Sequence, residues 1–337
     1  MLDKLRELCS INGASGDEAR VREFIAKNIK ADELFTDNLG NLIAFKKGRC
    51  SPKNKIMFAA HMDEVGFMIT DVCADGFLRF DAVGGINPSV VIGRMLRLES
   101  GALGVVGTKA IHQQSDSERK KMPDFGELFL DIGASSKEQA ETLAPRGSYA
   151  YFETDFFEYG DGFVKGKAID DRAGCLIMMD MINGEPEYDA WYAFTVQEEI
   201  GTRGAKAAAF TVAPDIAIVL ESTTACDISG VEGAKKVCEL GKGAVVSYMD
   251  RSTVYDRELY SLAFETAQKH GITVQTKTLV AGGNDSGAIH VSRGGVRTCA
   301  VSVPCRYLHS PSCVIKMSDL DAVRALSEKL LSAAAEL

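Results

Sequence analysis

Four apolar runs constrain this chain more than any other feature. IMFAA runs straight into His61, YAFTVQ into Glu198-Glu199 and IAIVL into Glu221, while VRTCAVSV ends a few residues before His309. Each run reads as a strand buried on both faces. Amphipathic stretches lie between and around them. Leu2, Leu5, Leu8 and Cys9 recur at helical spacing, and Cys175, Leu176 and Met179 mark a helix from about Asp171 to Met181. A further helix is expected near Asp256 to His270, and a last one from Ser318 carries Leu320, Val323, Leu326 and Leu330 on one side. Strands alternating with helices predict an α/β fold: a mostly parallel sheet with helices on both faces.

Other segments refine this plan. Ser15-x-x-Glu18 has the form of a capping box, opening a second helix with Val21, Phe24 and Ile25 inward. Asn41 to Phe45, Ile56 to Ala60, Trp191 to Val196 and Val296 to Val303 are the expected strands. From about residue 68 to 160 the pattern changes to short strand-like pieces punctuated by glycine, such as GFLRFDAVGG and GALGVVGT. This predicts a small, mostly β inserted domain at 68–160 within a larger domain formed by 1–67 and 161–337. With 337 residues, 46% of them hydrophobic, the chain is long enough for both.

Charge and cysteine usage exclude several classes. A formal net charge of −9 argues against nucleic acid or an anionic membrane as a general partner. The basic stretch at Glu118-Arg119-Lys120-Lys121 is too short to overturn this and fits a solvated helix face. Nine scattered cysteines without a CxxC pair fit reduced thiols, and the N-terminus lacks signal-peptide architecture. No apolar run approaches the roughly 20 residues of a membrane span. The expectation is a soluble cytoplasmic protein.

The residues at the strand ends carry the chemistry. Ligands of open α/β sheets collect beyond the carboxyl ends of the strands, so residues distant in sequence can meet along that edge. Imidazole nitrogen together with carboxylate oxygen suits zinc, cobalt or manganese. In His61-x-Asp63 on a strand both side chains share a face, which would let Asp63 accept the second ring N–H of His61 and fix its tautomer. In Glu198-Glu199 the side chains diverge, so one carboxylate can bind metal while its neighbour moves protons. Together with Asp170-Asp171, this pattern points to a two-metal hydrolase. His112, His270 and His290 fit structural roles, His270 suiting the end of a helix before Gly271. The glycines of AGGNDSGA lack the context of a phosphate loop and read as a loop lining the pocket.

With these motifs assembled, the chain resembles the cobalt- or zinc-dependent aminopeptidases that include glutamyl, deblocking and tetrahedral aminopeptidases, some of whose relatives carry an endoglucanase or cellulase M label. LCSINGASGDE, FAAHMDEVGFMI, GVVGTKAIH, LFLDIGASSKEQA, GKAIDDRAG, TVQEEIGTRGA, AGGNDSGAIH and RYLHSPSCV carry the resemblance, in order, along essentially the whole length. The resemblance implies two divalent ions, His61 and Glu221 on one, Glu199 and His309 on the other, with Asp170 bridging. It implies Glu198 as general base, Asp63 supporting His61, and a cis Asp170-Asp171 peptide. It also implies short peptides as substrates and a homo-oligomer, a dodecamer in some relatives, with the inserted domain shaping the pocket and helping assembly. Two positions depart from the family pattern: Glu221 stands where many relatives have Asp, and GGNDSGA replaces GGTDAGA. The alternatives are a related two-metal amidohydrolase (a deacylase or carboxypeptidase), a non-catalytic assembly protein on the same scaffold, and a glycosidase.

Overall fold

The computed structural model describes all 337 residues and shows a mixed α/β architecture built on one large sheet. Its eight strands lie in the order Glu33–Thr36, Leu42–Lys46, Ala190–Thr195, Ile56–His61, Ile216–Thr224, Arg297–Cys305, Ala244–Val246 and Val274–Thr276. The four central strands run parallel, and a further parallel pairing joins the last two. The remaining three pairings are antiparallel, so the sheet is mixed. The first two strands are antiparallel because only a short turn at 37–41 joins them, too little chain for a crossover.

Period-two burial sorts the side chains of the strands between two cores. Ile56, Phe58 and Ala60 enter the larger core with Leu5, Leu176, Phe194 and Leu326, under helices Leu2–Ser10, Ile169–Asn183, Arg257–His270 and Met317–Ala335. Met57 and Ala59 face the opposite way, toward Ala205, Ala208, Val212 and Ile289 on helices Arg203–Val212 and Ser286–Ile289. The central strands are covered on both sides, which explains why they are apolar without alternation.

Six strands between Gly66 and Phe152 close into a barrel with its own core of Phe67, Phe80, Leu96, Leu130 and Phe152. Closure leaves no unpaired barrel edge. Strands Phe157–Tyr159 and Phe163–Gly166 join Cys313–Lys316 in a separate three-stranded sheet. No helix is long and apolar enough to cross a membrane, and all nine cysteines are unpaired.

Two local expectations are corrected. Helix Ala19–Asn28 begins without a side-chain cap: Ser15 and Glu18 turn their oxygens to other segments, described below, because tertiary partners outcompete the helix's own amides. Glu221 does not end its strand; it is the sixth residue of Ile216–Thr224, which continues because Arg297–Cys305 pairs with it over its full length.

Arg172 ties the N-terminal helix to the end of the His61 strand. It is completely buried, and its guanidinium donates to the carbonyls of Leu8, Ile11, Gly13 and Met62 at 2.6–3.4 Å. Replacing it by Met removes four donated bonds, although the Leu8 and Gly13 carbonyls still accept from the Ile11 and Glu64 amides, and it removes the charge opposite Glu64, 3.9 Å away. Arg172→Met is expected to lower stability by roughly 3–5 kcal/mol in urea unfolding; a loss below 1 kcal/mol would show that Arg172 does not pin the helix.

Candidate metal centre

His61 is the last residue of its strand, and the chain then turns so that Asp63 is buried beneath it. His61 Nδ1 donates to the backbone carbonyl of Asp63 at 2.9 Å, with the Asp63 carboxylate farther off at 3.5 Å. The expected carboxylate–imidazole bond is thus replaced by a carbonyl one, because the strand has ended and the Asp63 carboxylate is engaged elsewhere. It accepts from Ser15 Oγ at 2.6 Å and from the amides of Glu198 and Glu199 at 3.1 Å each. These bonds and the nearby imidazole overcome burial and hold its pKa below the usual carboxylate value.

The carbonyl fixes the His61 tautomer and leaves Nε2 facing Glu221 Oε1 at 3.3 Å and Asp170 Oδ1 at 3.5 Å. On the other side His309 Nε2 lies 3.3 Å from Glu199 Oε2 and 3.6 Å from Asp170 Oδ2. His309 is oriented in the same manner, its Nδ1 donating to the Gly85 carbonyl at 2.7 Å. Asp170 therefore shows one oxygen to each imidazole. It sits at the start of helix Ile169–Asn183, where Asp170 and Asp171 depart from helical angles and the peptide between them is cis.

These spacings fit a cation better than direct bonding. Donor atoms on a tetrahedral ion with bonds of 2.0–2.1 Å are separated by about 3.3–3.4 Å, longer than an ordinary hydrogen bond. Asp170 Oδ1 and Asp171 Oδ2 are buried without a hydrogen-bond partner. Two groups, His61 with Asp170 and Glu199, and His61 with Asp171 and Glu221, bring one ligand atom from each residue within 4.8 Å of one another. Asp171 was not among the expected ligands. Its carboxylate accepts from the Gly174 amide at 3.0 Å, which ties it to its own helix.

The charge balance points the same way. Burial pushes Glu221 up to about 8 and Glu199 up to about 7, against the pull of His61 and His309, and it raises Glu198 well above its usual value. Asp285, hydrogen-bonded to Thr195, is pushed up to about 6 by burial. Burial opposes charge on the imidazoles too, yet the surrounding carboxylates hold His61 well above its usual pKa and lift His309 to about 10. The cluster holds more negative charge than its own cations neutralise.

Glu198 and Glu199 lie in the turn after strand Ala190–Thr195, and both line a cavity of about 280 Å³ together with His61, Asp170, Glu221 and His309. Ala281, Gly282, Gly283 and Asn284 of the expected loop also line it, whereas His112, His270 and His290 do not. Sequence pattern does not find Gly85 or Lys277, which completes the far wall of the cavity. Gly85 acts through its carbonyl, and Lys277 lies in a segment without a motif. The VGG dipeptide of glycines at 84–85 was the only available signal. A Cβ on Gly84 (φ +95°) would lie 2.9 Å from Val65 Cγ1 and 3.2 Å from Glu199 Cβ.

A set of imidazoles and carboxylates, buried or half-buried, at the carboxyl edge of an α/β sheet, beside a small barrel, defines a metallopeptidase-like hydrolase. The chain belongs to the M42 glutamyl aminopeptidase family, which matches residues 40–326. It is 33% identical over 338 residues to lysyl aminopeptidase of Pyrococcus furiosus, covering 97% of this chain and 95% of the relative. A solved aminopeptidase from the archaeon Desulfurococcus kamchatkensis superposes with a TM-score of 0.92 at 32% identity, over 97% of this chain and 93% of that one. The TET1 peptidase of Pyrococcus horikoshii, which can assemble into a tetrahedron or a large octahedral shell, gives 0.85 at 34% identity over 97% and 98%. The protein is accordingly a peptidase of the aminopeptidase type.

Folded pKa values above the unfolded ones mean that the native state binds more protons, so stability falls as pH rises. With a chelator present, the melting temperature is expected to decline from about pH 4.5, the ordinary glutamate value, through about pH 8, where Glu221 titrates, to about pH 10, where His309 does. Zinc should abolish most of that decline. A flat profile with chelator would remove the electrostatic case for a bound cation.

Proposed function

We propose that the protein removes single N-terminal residues from short peptides, with two divalent ions per subunit and Glu198 as general base. One observation carries this: the Asp170 carboxylate faces two separate His/Glu sets, His61 with Glu221 and His309 with Glu199, one through each oxygen. Such a carboxylate is suited to bridge two ions. Zinc, cobalt or manganese held there supplies Lewis-acid activation of water and of the peptide carbonyl.

The chain's own groups do the rest. Glu198 takes a proton from the attacking water at its carboxylate and returns it to the leaving amine. Burial raises its pKa above the usual carboxylate value, which favours a group that must hold a proton before giving it back. Asp63 anchors the amides of Glu198 and Glu199, keeping the base aimed at the cavity while its neighbour faces His309. The acidic surroundings favour a free α-ammonium, which restricts cleavage to the chain end.

The cavity also supports a preference for the residue removed. From Glu221 it runs along the sheet edge past Ser222, Thr223, Ser302 and Ser247, all carrying hydroxyls, to Lys277. Three strand steps separate the Glu221 strand from the one preceding Lys277, roughly 14 Å in all. Lys277 Nζ donates to the Ala281 carbonyl at 2.8 Å, leaving further N–H groups for a ligand. Apart from the two histidines it is the cavity's one basic side chain. This favours substrates with an acidic first residue.

Three further points belong to this proposal. Residues 68–160 act as an inserted domain that shapes the pocket, supported by the Gly85 carbonyl on His309. The protein works as a homo-oligomer, a dodecamer or larger shell, supported by the TET1 peptidase and by exposed Leu34 and Phe35 on an edge strand. It resides in the cytoplasm, where nine unpaired thiols stay reduced.

Chelator-stripped protein, restored with zinc, cobalt or manganese singly, should cleave aminoacyl-p-nitroanilides, and Glu198→Gln should bind metal yet lose nearly all turnover. Full activity in Glu198→Gln, or cleavage of N-acylated amino acids in place of free-amine peptides, would reject the proposal. Lys277→Ala should cut kcat/KM for glutamyl substrates about 10- to 100-fold, the worth of a charge-assisted hydrogen bond. Leucyl substrates should change less than about threefold; an equal loss on both would remove the acidic preference.

A further inference from the structure

The Ser15-x-x-Glu18 motif does not cap its helix, and its oxygens meet the turn that carries Glu198. Glu18 is 4% exposed, and its Oε1 accepts from the Gln197 amide at 3.0 Å and the Gly16 amide at 2.8 Å. Ser15, 3% exposed, donates to the same Asp63 oxygen that holds the Glu199 amide. Asn41 adds a third arm: its Oδ1 accepts from the Val196 amide at 3.0 Å, and its Nδ2 donates to the Gly204 carbonyl at 3.0 Å.

Four consecutive amides, 196 to 199, are therefore satisfied by side chains from distant segments. A sheet ladder or helix would normally supply those acceptors. Gln197 has φ +56°, so the turn adopts a left-handed step between strand and catalytic pair. The carbonyls of Val196, Gln197 and Glu198 accept from amides of residues 201 to 204, so local bonds hold the carbonyl side of the turn and the distant side chains hold its amide side. Gly204 is required for the arrangement, since a Cβ there would lie 2.3 Å from Asn41 Oδ1.

We infer that Ser15 and Glu18 are positioning residues for the reaction: through Asp63 and the Gln197 amide they set where the Glu198 carboxylate sits. The barrel enters the same network. Tyr149 on a barrel strand donates its hydroxyl to the Ser15 carbonyl at 3.1 Å, and Tyr151 pairs with Asp17. Gly16 (φ +93°) permits this approach, since a Cβ would stand 2.6 Å from the Tyr149 hydroxyl. The 13–18 turn thus links barrel placement to the base.

This inference rests on Glu198 being the base. Misplacing a catalytic group by about 1 Å costs on the order of 100-fold in rate. In the metal-loaded enzyme, Glu18→Ala is expected to lower kcat about 10- to 100-fold with KM within about threefold of the native value. Glu18→Gln keeps the accepting oxygen and should restore kcat to within about threefold. Ser15→Ala should lower kcat by about 3- to 10-fold, and Ser15→Thr, which keeps the hydroxyl, should restore it. Metal content and melting temperature, measured on each variant, should stay near native for Ser15→Ala and Glu18→Gln.

Native kcat in both alanine variants would overturn the inference, as would losses proportional to bound metal or to folded fraction. Failure of Gln and Thr to restore the rate would overturn it too, since both keep the atoms that hold the turn. If Glu18→Ala does not fold, the Ser15 pair decides. Glu198→Gln run alongside separates the two ideas: an active Glu198→Gln enzyme defeats the base assignment, whereas an inactive one beside a fully active Glu18→Ala defeats only the positioning role.

Discussion

The concentration of carboxylates at one end of the sheet is the constraint on which the rest of the structure depends. Asp63, Asp170, Asp171, Glu221 and Asp285, all buried, gather with half-buried Glu198 and Glu199 around the imidazoles of buried His61 and half-buried His309. Carboxylates that close repel one another and lose hydration, so an uncompensated set pushes its own pKa values up. The fold resolves this unevenly. Asp63 receives a hydroxyl and two amides and stays low, while Glu198, Glu199 and Glu221 receive less and are raised. Environments that push neighbouring acids apart are how one site obtains both a permanent anion and a proton carrier.

Holding such a cluster requires rigid supports, and the chain supplies them from several layers. His61 and Glu221 stand on central strands that are paired on both sides. Glu198, Glu199 and His309 sit on turns, which need external anchors. The amides of the first two are held by Asp63, and the ring of His309 by a carbonyl from the segment after a barrel strand. The barrel, though it has its own core, is therefore part of the geometry of the edge. Arg172 and Glu64 complete the support from below: Glu64 is buried against Lys167 at 2.6 Å and also accepts from the Gly13 amide.

Much of this was legible in the chain, for reasons that differ by residue. IMFAA, YAFTV and IAIVL could be read as strands because central parallel strands are apolar on both faces, and the structure places strands at Ile56–His61, Ala190–Thr195 and Ile216–Thr224. Most of the named histidines and carboxylates could be listed because they follow or interrupt such a run, whereas Asp170, at the start of a helix, was singled out by its GKAIDDRAG motif. Ser15 and Glu18 show the limit. Their spacing satisfies a local capping rule, but a capping oxygen has equal use for any amide, and Gln197 lies nearer in the folded chain. Lys277, which follows a three-residue strand, had no readable signal, and Gly85, which acts through its backbone carbonyl, had only its place in a pair of glycines.

The sequence by itself determined the alternation of strand and helix, the apolar strands that must be buried, and the supply of imidazole and carboxylate at their ends. These follow from periodicity and side-chain chemistry, which act over a few residues. Only the tertiary structure decided that Asp170 turns one oxygen to each histidine, that the Asp63 carboxylate serves the turn at 198–199, and that Lys277 closes the far wall of the cavity. Those outcomes depend on strand order and on competition among distant partners for the same buried amides, and neither is encoded in local spacing.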